Sequence, residues 1–314
     1  MDVPPEMAQA LADGNTEVLS IDGVNGTDVG LDSSDELAIR ILVGDPENPP
    51  GGLPETFGGF PAIIVAGDPV MDSFMPDTAR HEPLRGGYQL GTAVVDGSIS
   101  RGTLGCVFRD TETGEPVVLT AGHVVCGAPG DVIYQPAPST DPPPDFDELG
   151  SVRRCLIPNT PAFFPTPGMT GVSGFFDAAV CSIVDGRTPK VGEIEGIGTA
   201  TGITGPSVGD LVRKRGYKNG PTLGRVTGAV GTYRIRNSDE TVRWWMMGQV
   251  SIEAVPDPIL NPDGVWGTSG DSGAVVVGKS TNEIVAMHHA SDRGTGTGYA
   301  TDFSTLAIAI NISL

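Results

Sequence analysis

Basic residues are in short supply. Lysine occurs only at Lys190, Lys214, Lys218 and Lys279, and 19 Lys plus Arg face 39 Asp plus Glu, for a formal charge of −20. So acidic a surface repels phosphate backbones and argues against nucleic acid as a partner. Long apolar runs are missing too: none approaches the roughly 20 residues of a membrane helix, so no membrane association is expected. The first residues, Met1-Asp2-Val3-Pro4-Pro5-Glu6, have neither a basic start nor an apolar stretch, and the location expected from this is cytoplasmic. Four cysteines, Cys106, Cys126, Cys155 and Cys181, show no metal-ligand spacing, so no metal is expected. Without a visible secretory signal, reduced and buried thiols are the expectation. The alternative is one or two disulfides, since Cys155 and Cys181 fall on two candidate strands that would pair.

What is abundant is glycine (45) and proline (27), beside a 39% hydrophobic content. This favours many tight turns and short strands around a substantial core. A chain of 314 residues suggests two or three packing units. Residues 1–84 read as a small N-terminal unit, with a short helix over Pro4 to Ala12 and strands at Val18 to Ile21, Leu37 to Val43 and Ala62 to Ala66. Residues 85–200 hold six strand signals: Tyr88 to Val95, Thr103 to Arg109, Pro116 to Thr120, Asp131 to Tyr134, Gly150 to Ile157 and Asp177 to Val184. Residues 201–314 hold six more: Leu211 to Arg215, Gly224 to Ile235, Val242 to Ala254, Gly273 to Val277, Glu283 to His289 and Gly298 to Asp302, with a short helix over Ser304 to Ala309. Six strands suffice for one closed antiparallel barrel, so two barrels are expected. The Pro-rich stretch Gln135 to Glu148 and the stretch Pro158 to Gly174 read as surface loops. Trp244-Trp245-Met246-Met247 on a strand reads as core and interbarrel packing.

Three segments place chemistry beside apolar strands: Leu119-Thr120-Ala121-Gly122-His123-Val124-Val125, Phe176-Asp177-Ala178-Ala179-Val180 and Gly270-Asp271-Ser272-Gly273-Ala274-Val275-Val276. A serine hydroxyl holds its proton too tightly to attack at neutral pH. An imidazole can take that proton and hand it to the leaving group, and a carboxylate can orient the imidazole. Glycines on both sides of Ser272 suit a sharp turn that lifts Oγ into a cleft. Asp145 and Asp147 are the substitutes for the acid, but neither is flanked by an apolar strand.

In this order the three segments resemble the His, Asp and Ser motifs of the chymotrypsin/trypsin superfamily of serine proteases. Gly102-Thr103-Leu104-Gly105, Tyr134-Gln135-Pro136, Lys214-Arg215-Gly216 and Gly224-Arg225-Val226 are similar to bacterial and plant trypsin-like proteases of the Narrow-leaf-1 type more than to digestive trypsins. The resemblance implies a mainly β fold of two six-stranded antiparallel Greek-key barrels, here with a small N-terminal α/β extension, and a cleft between the barrels. It implies a serine endopeptidase working through an acyl-enzyme, with His123, Asp177 and Ser272 catalytic and the N–H groups of Gly270 and Ser272 as oxyanion hole. No cofactor is implied, and the partner is a protein or peptide substrate. Cys106 and Cys126 flank His123 much as a disulfide does in secreted relatives. Nothing resembles the cleaved N-terminus that pairs with the residue at Asp271 in activated digestive enzymes, so Asp271 is expected to bond locally in a constitutively formed site.

By count along the resemblance, Trp266, Ser269, His288 and His289 wall the specificity pocket. Without an acidic residue at its base, an acidic or small uncharged side chain is the expected preference, His288 serving as a protonated or donating imidazole. The N-terminal unit is a place for self-association. Competing expectations are an esterase with the same triad, or a catalytically silent binding or regulatory module on a protease fold.

Overall fold

The computed structural model describes residues 2–67, 69–70, 79–92, 100–126, 130–138, 147–161, 171–236, 242–257, 259–261, 264–292 and 294–314. Strands dominate, and they fall into two sheets that each curl back on themselves. In the first, the pairing runs from Gln89–Thr92 to Arg101–Thr103, which continues through Leu104 and Gly105 into Cys106–Asp110. It then passes to Pro116–Thr120, Ala178–Cys181, Glu148–Leu156 and Val132–Tyr134, and returns to Gln89–Thr92. In the second, Val242–Ala254, Gly298–Asp302, Glu283–Asp292, Val275–Gly278, Leu211–Gly216 and Gly220–Arg236 close because the last also pairs with the first. These are the two expected barrels. Of the expected strand Tyr88 to Val95, residues 93–95 lie outside the described residues.

Successive strand residues point to opposite faces, and here both faces are apolar. Val107 and Val118 fill the first barrel with Leu90, Leu104 and Ile133. Their neighbours Cys106, Phe108, Val117 and Leu119 face the seam. There they pack on Val275, Val277, Ile284 and Met287 of the second barrel and on Phe303 and Leu306 of the C-terminal helix Phe303–Ala309. The second barrel is filled by Val212, Val226, Val250, Ile252, Val276 and Trp266. A strand between two cores reads as an unbroken apolar run, and Pro116–Thr120 is one.

The N-terminal segment differs most from expectation. Its helix, Pro5–Val18, runs past Ala12 and carries Met7, Leu11 and Val18 on its buried face. The expected strand Val18 to Ile21 is the end of that helix and the turn after it. The strand that forms instead is Val24–Leu31, antiparallel both to Leu37–Val43 and to the far half of Gly220–Arg236. The described strands between Val24 and Val70 extend the second barrel's sheet. Trp245 packs into this N-terminal core with Leu11, Val29 and Ile41, not between the barrels. A buried polar knot ties the two parts. Asp28 takes two bonds from Arg40, at 2.7 and 2.8 Å, one from Ser251 at 3.0 Å and one from the Tyr233 hydroxyl. Burial works against the charge on Arg40, but Asp28 overrides it and raises the guanidinium pKa further.

Within the expected loop Pro158 to Gly174, Thr160–Pro161 and Val172–Gly174 form a short pair, the latter parallel to Val242–Ala254; residues 139–146 of the other expected loop and 162–170 of this one lie outside the described residues. Pro189–Ile194, unmarked by any sequence signal, lies parallel to Leu84–Gly86 and to Cys106–Asp110. The cysteines correct both pairings weighed above and the reduced state expected of all four. Cys126 and Cys155 are joined, while Cys106 and Cys181 are free and buried. Burial pushes both free thiols up to about 12.

Candidate active site

His123 sits on a single helical turn, Gly122–Val125, that follows directly on Pro116–Thr120. Asp177 immediately precedes Ala178–Cys181. These strands are antiparallel neighbours with Thr120 opposite Ala179, so stepping forward from one and back from the other brings residues 122 and 177 together. Gly122 leaves the necessary space: a Cβ there would lie 3.0 Å from both Asp177 Oδ1 and the Ala178 nitrogen. The Asp177 carboxylate accepts twice from one residue, from the His123 backbone N–H at 2.7 Å and from Nδ1 at 2.5 Å. Nδ1 therefore carries the proton and Nε2 is left as the base. Burial would raise the Asp177 carboxyl, but the adjacent His123 ring and these bonds outweigh it and hold the pKa below the usual range. The disulfide from Cys126 to Cys155 ties the end of the histidine turn to Glu148–Leu156.

Ser272 comes from the second barrel, on the turn before Val275–Gly278. Threonines of the first barrel hold that turn across the seam. Thr103 donates its N–H to the Ser272 carbonyl at 2.8 Å and its hydroxyl to the Gly270 carbonyl at 2.9 Å. Thr120 bonds the Thr103 carbonyl at 2.8 Å. Gly273, at φ +98°, passes so close that a Cβ would meet the Thr103 oxygen at 2.4 Å and the Ala121 nitrogen at 2.9 Å. Both glycines of the Gly-Asp-Ser-Gly turn are left-handed, Gly270 at φ +104°. Among the described residues, the N–H groups of Gly270 and Ser272 meet no protein acceptor, whereas those of Asp271 and Gly273 bond Thr268 and His288. The Ser272 hydroxyl donates to the His289 carbonyl at 3.0 Å, and its bond is to that oxygen and not to the His123 ring.

Asp271 does not bond only within its turn. Its carboxylate meets Lys214 Nζ at 2.6 Å, and neither side chain has any exposure. The Asn219 N–H adds a bond at 3.3 Å. One of four lysines is thus buried where it fixes the nucleophile turn, a role its motif, Lys214-Arg215-Gly216, did not disclose.

The four expected pocket residues are mostly interior. Trp266 is fully buried, its ring 5.2 Å from Lys214 Nζ, while Ser269 is half-buried. His288 and His289 are buried, and burial pushes each down to about 3. At neutral pH His288 is uncharged, which corrects the reading of a protonated imidazole there; its Nε2 lies 3.2 Å from the Ser291 hydroxyl. His289 is held by a residue the sequence did not mark. The Gln249 amide nitrogen donates to the carbonyls of Phe175 and Met247, at 2.9 and 2.6 Å. Its oxygen accepts from His289 Nε2 at 2.9 Å and from the Thr301 hydroxyl at 3.0 Å. Gln249 thereby couples the strand beside Ser272 to the segment leading into Asp177. Its one signal was a lone amide among apolar neighbours in Val242–Ala254.

Of the substitute acids, Asp145 lies outside the described residues. Asp147 is buried, its carboxyl raised by that burial, with the charges of Arg80 and Arg187 nearby working the other way. No cluster of three or more His, Cys, Asp or Glu side chains suited to a metal occurs among the described residues. None of the described helices is long and apolar enough to cross a membrane.

Two curled sheets with a His–Asp pair on one and a glycine-bracketed serine on the other define a chymotrypsin-like architecture. No family model and no curated protein matches the sequence. Among solved structures the chain is similar to bacterial chymotrypsin-like serine proteases. Thermobifida fusca protease A is 17% identical over 73% of this chain and 97% of its own, with a TM-score of 0.49. A glutamic acid specific serine protease described as using a histidine triad in substrate binding is 17% identical over 74% and 100%, at 0.48. Nocardiopsis protease is 16% identical over 73% and 97%, also at 0.48.

Proposed function

We propose that this protein is a serine endopeptidase acting through an acyl-enzyme. The observation that supports the reading is an oriented imidazole on one barrel and, on the other, a serine on a tight glycine-bracketed turn stapled across the seam by Thr103 and Thr120. The hydroxyl leaves the His289 carbonyl by a χ1 rotation and gives its proton to His123 Nε2 as Oγ attacks a peptide carbonyl carbon. The charge that develops on the carbonyl oxygen is met by the N–H groups of Gly270 and Ser272, each such donor contributing about 3 kcal/mol at the transition state. Collapse breaks the C–N bond, and the leaving amine nitrogen takes from Nε2 the proton that Ser272 gave up. Water then repeats the sequence on the ester, and the Asp177 carboxylate steadies the imidazolium in both halves.

Asp271 and Lys214 favour a site formed without chain cleavage, because the ion pair that sets the nucleophile turn is made within the folded chain. The filling of the interior by Trp266 and the uncharged His288 favour a small, uncharged side chain at the cleavage position.

The test is a fluorophosphonate probe combined with a peptide library. The wild type takes the label and cleaves peptides. Ser272→Ala takes none and loses about 10³-fold or more in rate, and His123→Ala behaves likewise. Equal hydrolysis by wild type and Ser272→Ala overturns the reading. Label without peptide cleavage, but with ester cleavage, turns it into an esterase.

A further inference from the structure

One side of Glu283–Asp292 is paired with Gly298–Asp302 from Ala286 to Ser291. On the other side, Val275–Gly278 reaches only to Met287. The nucleophile turn extends that contact by one residue: the Gly273 N–H donates to the His288 carbonyl at 2.8 Å and the His288 N–H to the Ala274 carbonyl at 2.9 Å. The edge from His289 to Asp292 therefore begins at the very carbonyl that holds the Ser272 hydroxyl. A strand edge of this kind accepts an extended peptide by main-chain pairing. An antiparallel peptide laid on it runs from Asp292 toward His289, and so toward Ser272.

That edge is occupied by the chain itself. Pro69–Val70 pairs antiparallel with it, Val70 opposite Ser291 and Pro69 opposite Asp292. On its far side Val70 pairs parallel with Arg236. Val70 stands two strand positions from His289, about 7 Å at the usual rise. The flanks are pegged on the N-terminal strands and on the first barrel. Upstream, the Gly67 N–H bonds the Val43 carbonyl at 2.9 Å and the Gly67 carbonyl accepts from Asn25 at 2.8 Å. Downstream, Gln135 of the first barrel accepts from the His81 N–H and donates to the Ala79 carbonyl, both at 3.0 Å.

We propose that Pro69–Val70 is a built-in occupant of the peptide-binding edge at Ser291 and Asp292, so that an extended peptide binds only in competition with the protein's own strand. The proposal concerns peptide binding and rests on the endopeptidase reading only for its consequence, a lowered apparent substrate affinity. A competitor tethered in the same chain reduces that affinity by the fraction of time the edge is free.

The experiment uses the full chain with Ser272→Ala, which cannot hydrolyse the probe, and a fluorescein-labelled synthetic peptide of residues 67–78 followed by anisotropy. Val70→Pro removes one ladder N–H and disfavours the strand, and tightens binding about five-fold relative to the parent. Val70→Cys with Ser291→Cys, oxidised, locks the strand in place and weakens binding at least ten-fold; reductant restores it, with the parent under the same reductant as control. Equal affinity in the parent, the proline variant and the locked variant overturns the proposal, as does failure of the peptide to bind any of them. Where Val70→Pro fails to fold by circular dichroism, the locked pair decides alone. Fluorophosphonate labelling of the protein with Ser272 intact is read separately. Competition without labelling overturns the nucleophile and leaves the occupied edge standing, and labelling without competition does the reverse.

Discussion

Acid will destabilise this protein before its carboxylates protonate, and the cause is two adjacent histidines. His288 and His289 lie on a strand covered on both faces, so alternation puts one on each side and both are wholly buried. Burial comes first among the causes holding each near 3, against about 6.5 in an unfolded chain. The folded value is the lower one, so below about 6.5 the unfolded state binds protons that the native state refuses. Stability is therefore full above that pH and falls as pH drops towards 3. Between pH 7 and pH 5 each histidine removes about 2 kcal/mol, about 4 kcal/mol for the pair, a large share of a typical stability. The Ser272→Ala protein, free of self-digestion, is unfolded in urea at pH 7, 6 and 5 and followed by tryptophan fluorescence. His289→Gln should lose about half of the slope. A parent whose stability changes by less than about 1 kcal/mol over that range, or a variant with an unchanged slope, refutes the argument.

The remaining predictions concern residues that hold the site. Lys214→Met leaves the Asp271 carboxylate buried and unpaired, which costs about 3–5 kcal/mol in urea unfolding and slows fluorophosphonate labelling; unchanged stability shows the pair to be dispensable. Gln249→Leu strands the Phe175 and Met247 carbonyls, the His289 imidazole and the Thr301 hydroxyl. A loss of about 3 kcal/mol is expected, with kcat falling about ten-fold and KM little changed if Gln249 positions the Asp177 segment. A fall in KM-side affinity alone speaks against that positioning role.

Much of this molecule was legible where local signals and long-range packing agreed. Pro116–Thr120, Val242–Ala254 and Gly298–Asp302 lie where apolar content marked them, because strands between two cores have few other options. Val24–Leu31 was hidden for the opposite reason. Its Asn25, Gly26, Asp28 and Gly30 weigh against a strand on propensity, yet each answers a distant partner. Gly26 lets the Tyr233 ring approach, Gly30 admits the Arg40 guanidinium, and Asp28 anchors the knot. The three residues with chemistry stood out because each borders an apolar strand. Lys214 and Gln249 did not, since their partners Asp271 and His289 are brought to them only by pairing between strands distant in sequence. The disulfide was misread because Cys126 and Cys155 meet only through the strand Ala178–Cys181, which pairs with both Pro116–Thr120 and Glu148–Leu156.

Gly220–Arg236 serves two masters: its early residues close the second barrel, and its later ones carry Val24–Leu31. Cutting the backbone between Val70 and the first barrel would leave the pairing of Val24–Leu31 with Gly220–Arg236 to hold the leading piece in place. The two pieces would migrate as separate bands once denatured, yet travel through a sizing column as a single particle. Removal of the leading piece would bare half of a seventeen-residue strand to any passing edge.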